Sequence, residues 1–154
     1  MPDFIRKQLP HEVPHWVDDG VAYFITLNCQ SRNFNQLAKE KPAQAIFQAF
    51  KHYEALGKWH VQLCLLMPDH LHGILSFNTR EYSMSSLIQS IKGYLARTEH
   101  IKWQKNYFDH RLRNDAALQE KAQYIRLNPV RAGLVKKPEE WPYVIDARES
   151  TTER

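Results

Sequence analysis

The chain is poor in cysteine and glycine, with two and five among 154 residues, and it holds no long uninterrupted apolar run. Each shortage excludes something. Cys29 and Cys64 both fall within apolar stretches, without zinc-site spacing or a secreted disulfide pattern, so buried free thiols in a reducing compartment are expected. Five glycines and eight prolines exclude low-complexity and collagen-like chains. No apolar stretch approaches the roughly eighteen residues of a membrane helix. Residues 1–10 carry charge throughout and lack the apolar segment of a signal peptide. The expected setting is the cytoplasm, with no membrane partner.

The net charge of +4 is mild. Its distribution says more: Arg97, Lys102, Lys105, Arg111, Arg113, Lys121, Arg126, Arg131, Lys136 and Lys137 all lie in the second half. Tyr94, Trp103, Tyr107, Phe108, Tyr124, Trp141 and Tyr143 are threaded among them. Cations that track phosphates beside rings that stack on unpaired bases suit single-stranded nucleic acid. The same pattern also describes a solvated basic face over an aromatic core.

The length favours one domain, residues 1–154, with an irregular proline-containing arm over 1–20 and a flexible tail over 144–154. Residues 21–29 (VAYFITLNC) read as a strand. Pro42 suits the first turn of a helix whose apolar stripe runs through Ala45, Ile46, Ala49, Phe50, Tyr53 and Leu56 to a stop at Gly57. Residues 59–67 (WHVQLCLLM) and 70–77 (HLHGILSF) read as paired strands across a Pro68-Asp69 turn. Ser83 or Ser85 can cap a helix with Leu87, Ile88, Ile91, Tyr94 and Leu95 as its stripe. A strand over 103–111 follows, then a helix from Asn114-Asp115 to about Leu127, closed by Pro129. This order predicts an α+β, ferredoxin-like (RRM-like) antiparallel sheet with helices on one face, plus a C-terminal helix carrying Tyr124.

Within MPDHLHG, His70 and His72 stand on one side of a strand while Leu71 points to the other. Two imidazoles so placed can share one divalent cation, provided a third ligand arrives from elsewhere; a hydrogen-bonded surface pair would look the same. Tyr124 and Asn128, four residues apart, are neighbours on one helix face. A phenol attacks phosphorus usefully only where a cation polarises the phosphate, and the Asn128 amide oxygen can complete that cation's shell. Asn before Pro is also an ordinary helix terminus. Tyr94 is the rival nucleophile, but packing in its stripe accounts for it; Tyr107 lacks a polar partner at helical spacing.

Three ordered segments, MPDHLHGIL, WQKNYFDHRLRND and YIRLNPVRAGLVKKPEEWPY, resemble the REP-associated tyrosine transposases, relatives of the single-tyrosine, His-hydrophobic-His transposases of bacterial insertion sequences. The resemblance covers roughly residues 22–143. It implies a metal-dependent enzyme that nicks and rejoins single-stranded DNA at hairpin or palindromic repeats through a 5′-phosphotyrosine. By this likeness His70 and His72 match the metal-binding pair, Tyr124 the nucleophile, and Asn128 a position where a related subgroup uses the longer glutamine as a ligand. Mg²⁺ or Mn²⁺ is the implied cofactor. A homodimer in which the tyrosine helix serves the partner's histidines is one implied arrangement. Arg111, Arg113 and Arg126 are the candidate phosphate contacts.

Three alternatives stay open on the residues. A domesticated, catalytically inactive module would bind single-stranded nucleic acid only. A generic RNA binder would not use the histidines, and a zinc hydrolase would form no protein-linked intermediate.

Overall fold

The computed structural model describes residues 21–148; the expected arm over 1–20 and the last part of the expected tail, 149–154, lie outside the described residues. Five strands, β1 (Ala22–Asn28), β2 (Trp59–Met67), β3 (His70–Phe77), β4 (Phe108–Leu112) and β5 (Val144–Asp146), form one sheet in the order β4-β1-β3-β2-β5. All neighbours are antiparallel. Between the strands run α1 (Glu40–Ala55), α2 (Met84–Glu99), α3 (Asp115–Arg126) and the short α4 (Asn128–Arg131). The α+β, ferredoxin-like order read from the sequence is the order observed.

Local signals explain the helix limits. Ser83 caps α2 by accepting from the Ser86 N–H, and Asn114 caps α3 by accepting from the Ala117 N–H. Past α1, Gly57 takes a φ of +74° and donates to the Glu54 carbonyl, a left-handed turn that glycine adopts without steric cost.

The sheet has a core on each face. Ile25, Leu27, Leu71 and Leu75 pack with Ile46, Phe47 and Phe50 of α1 and with Ile88, Ile91 and Leu95 of α2. On the other face Phe24, Leu63, Leu65 and Ile74 pack with Ala122 and Ile125 of α3 and with Trp141. Helices on one face therefore describes α1 and α2; α3 covers the opposite side and carries Tyr124.

Four sequence expectations need correction. The strand placed over 103–111 starts only at Phe108; Trp103 makes an isolated bridge to Cys29 and is buried. Here the carbonyls of Gln104, Lys105 and Asn106 turn in toward the Lys92 ammonium instead of joining a ladder. Pro129 does not simply close a helix: α3 ends at Arg126, and the proline lies in the first turn of α4, where its missing N–H costs nothing. Residues 144–146, assigned to the tail, form β5 against Leu63, Cys64 and Leu65, because a side of β2 would otherwise be left unpaired. Tyr94 sits at the margin of its stripe and is 46% exposed.

Candidate active site

β3 presents His70 and His72 on the face that α3 covers, with ring centres 4.7 Å apart, while Leu71 between them is buried in the opposite core. The antiparallel register sets Thr26 of β1 directly across from His72, and Thr26 Oγ1 hydrogen-bonds His72 Nδ1 at 3.0 Å. The Asp69 carboxylate accepts from His70 Nδ1 at 2.9 Å. Asp69 is itself fixed by the Asn33 N–H at 2.7 Å and by Arg32 Nε at 3.3 Å. Burial opposes ionisation of Asp69, but the Asn33 N–H, His70 and Arg32 outweigh it and hold its carboxyl below the usual range.

Each imidazole thus has its Nδ1 engaged, and neither Nε2 has a hydrogen-bond partner among the described residues. That is how histidine ligands are oriented: one nitrogen tied back, the other turned out as a donor to a cation. His72, 8% exposed, is held neutral. Burial first, and then the charges of His70, Lys121 and Arg131, push its pKa down to about 3. A neutral imidazole is the form that coordinates. Among the described residues no three His, Cys, Asp or Glu side chains are gathered for a metal.

Tyr124 lies on the α3 surface, 48% exposed. Two cations bracket its ring: Arg131 at 4.0 Å and Lys121 Nζ at 4.9 Å from the centre. Lys121 Nζ is also 4.6 Å from the centre of the Phe24 ring, which lies 5.2 Å from that of His72. The charges that bracket Tyr124 are thus those that act on His72. Asn128 begins α4, one residue beyond the Leu127 cap, and is half-buried; the phenol and the amide belong to successive helices joined through Leu127.

The predicted arginines separate. Arg126 pairs with Asp146 through Nε at 2.8 Å and a second nitrogen at 3.2 Å, joining α3 to β5. Arg111 lies on β4 paired with Tyr23, on the sheet face away from the histidines, and Arg113 is exposed beyond that strand. Tyr94 belongs to α2, across the sheet from His70 and His72, and this position, not packing, removes it as a rival nucleophile. Trp103 is a core residue.

Sequence reading missed Thr26 and the bracketing role of Lys121 and Arg131, and it named Phe108 only among the rings of the basic half. Phe108 is 52% exposed with its edge against Phe24, a ring open to solvent on the histidine side. Lys121 had a local signal, three residues before Tyr124 on the same helix. Thr26 had none, since it meets His72 across 46 positions of sequence.

No family model matches the chain. It is 25% identical over 126 residues to the REP-associated tyrosine transposase of Escherichia coli (strain K12), covering 80% of this chain and 75% of that protein. A Haemophilus influenzae protein provisionally named in the same way is 27% identical over 142 residues, covering 80% of this chain and 78% of its own. A solved structure of a REP-associated tyrosine transposase bound to a REP hairpin superposes with a TM-score of 0.70 at 26% identity, covering 81% of this chain and 76% of that one. The chain is accordingly similar to enzymes of the tyrosine-transposase class, which nick and join DNA. Within that class it is the REP-associated tyrosine transposases that it resembles, in sequence and in fold.

Proposed function

We propose that the chain cuts and rejoins single-stranded DNA beside hairpin or palindromic repeats, with Tyr124 as nucleophile and a divalent cation, Mg²⁺ or Mn²⁺, as cofactor. The observation that carries this reading is the pair of imidazoles with Nδ1 tied back, on the sheet face whose covering helix bears a cation-bracketed tyrosine. The Nε2 atoms of His70 and His72 and the Asn128 amide oxygen are the donors that would hold the cation. Such an ion, when bound, withdraws charge from the phosphate oxygens.

The Tyr124 hydroxyl loses its proton and attacks phosphorus; the bond to the 3′-oxygen breaks, and that oxygen leaves as a protonated hydroxyl. The DNA 5′-phosphate is then joined to the tyrosine. Attack by a different 3′-hydroxyl reverses these steps and transfers the strand without an external energy source. Lys121 and Arg131 offset the charge that gathers on phenol and phosphate. Phe108 is an open ring on which a neighbouring base can stack.

Incubation with Mn²⁺ and a single-stranded oligonucleotide carrying a hairpin is expected to give a covalent protein–DNA adduct on a denaturing gel. Tyr124→Phe is expected to abolish it while leaving stability within about 0.5 kcal/mol, as for other surface changes. An adduct that persists in Tyr124→Phe refutes the nucleophile, and binding without any adduct in the wild type favours the inactive-module alternative.

A further inference from the structure

A cleft of about 500 Å³ lies between α2 and residues 100–105, on the sheet face away from the histidines. Lys92, His100, Lys102 and Lys105 line it, and among the described residues no carboxylate does. Lys92 is buried, its ammonium donating to the carbonyls of Gln104 at 2.9 Å, Lys105 at 3.2 Å and Asn106 at 3.5 Å. Burial holds its pKa below the usual range, and among the described residues no acidic side chain compensates it. A buried ammonium satisfied only by neutral carbonyls retains an unbalanced charge, which an incoming anion offsets. Trp103, also in the lining, has a buried indole N–H without a partner among the described residues. The exposed Lys102 and Lys105 extend this positive charge to the surface, with His100 beside them.

The cleft adjoins the active end of the sheet. Gln30 N–H donates to the Lys102 carbonyl and Gln104 N–H to the Asn28 carbonyl, both at 2.8 Å, and Asn28 is the strand partner of His70. A polyanion passing over the end of β1 from the histidines meets this cleft next.

We propose that this cleft is a second DNA site, in which the exposed Lys102 and Lys105, above the charge of the buried Lys92, hold a backbone phosphate of the strand leaving the active site around the end of β1. This rests on the DNA-cutting reading above, but its test is separable. Binding of a labelled DNA hairpin with a single-stranded extension is measured by anisotropy across a salt series. The proteins compared are the wild type, Lys102→Gln/Lys105→Gln, and Lys58→Gln/Arg80→Gln, which removes the same charge at the opposite end of the sheet. Lys102, Lys105 and Arg80 are exposed, and Lys58 is half-buried over the Tyr53 and Tyr82 rings, so folding of the control pair is checked by its melting curve; Lys92 itself, whose loss endangers the fold, need not be touched.

The cleft variant is expected to bind more weakly and to lower the slope of log affinity against log salt by about 0.7–0.9 for each phosphate it no longer neutralises, while the control keeps the wild-type slope. Equal slopes in the two variants overturn the proposal. So does a cleft-variant effect seen with a free mononucleotide but not with DNA. Adduct formation on a short oligonucleotide, run alongside, reports the cutting chemistry alone. An adduct with unchanged slopes refutes the cleft only, and a changed slope without an adduct in the wild type refutes the chemistry only.

Discussion

The guanidinium of Arg131 stacks 4.0 Å from the centre of the Tyr124 ring and donates at 2.7 Å to the carbonyl of the same residue. One side chain from α4 thus fixes both the ring and the backbone of the tyrosine near the end of α3, where carbonyls run out of helical partners. An exposed tyrosine would otherwise sample several rotamers.

Removing that clamp is expected to slow the chemistry more than it weakens DNA binding. Cation–π contacts are worth about 0.5–2 kcal/mol, so Arg131→Ala is expected to lower the rate of adduct formation about tenfold. Arg131→Lys keeps the charge but loses the planar fork, and is expected to recover only part of the rate. Single-turnover measurements at saturating DNA separate rate from affinity; a change in affinity alone would mean that Arg131 serves only as a phosphate contact.

Thr26 is expected to act on the cation through His72. Thr26→Val keeps the shape and removes the oxygen bonded to Nδ1. Loss of such orienting partners typically costs about 10–100-fold in metal affinity. Titration calorimetry with Mn²⁺ is expected to show that loss in Thr26→Val and no binding in His70→Ala/His72→Ala. Wild-type affinity in Thr26→Val would falsify the orienting role.

Arg126 is expected to matter for stability. Its guanidinium side chain is 13% exposed and the Asp146 side chain 2%, so Arg126→Met leaves a buried carboxylate with only the Arg148 N–H at 3.1 Å and the exposed Arg148 guanidinium at 3.8 Å, at a cost of up to about 3–5 kcal/mol. Arg126→Met/Asp146→Leu is expected to regain most of it in urea denaturation. If Arg126→Met unfolds like the wild type but loses DNA affinity, the arginine is a phosphate contact after all.

Both thiols are expected to be inert in the native protein. Burial pushes Cys29 up to about 11 and raises Cys64 further still. At pH 8 only about one Cys29 in a thousand is then a thiolate, the reactive form. A chromogenic disulfide reagent is expected to label neither cysteine until denaturant is added; rapid native labelling of one thiol would show that its segment opens.

Much of the fold was readable because its signals are local. Alternation along residues 70–77 put His70 and His72 on one side, and the caps Ser83 and Asn114 marked their helices within one turn of chain. The boundaries that were misread are those where a distant group intervenes. Lys92 draws in the carbonyls that would have extended β4, and the unpaired side of β2 claims residues 144–146.

The sequence by itself determined the order of elements, the shared face of the two histidines and the placement of Tyr124 on the last long helix, since each depends on side-chain periods within a few residues. Only the tertiary structure decided that this face turns toward α3, that Thr26 holds His72, that Lys121 and Arg131 bracket the phenol, and that Arg126 is occupied by Asp146. Those outcomes depend on strand register and on the approach of side chains far apart in the chain, and no local period encodes either.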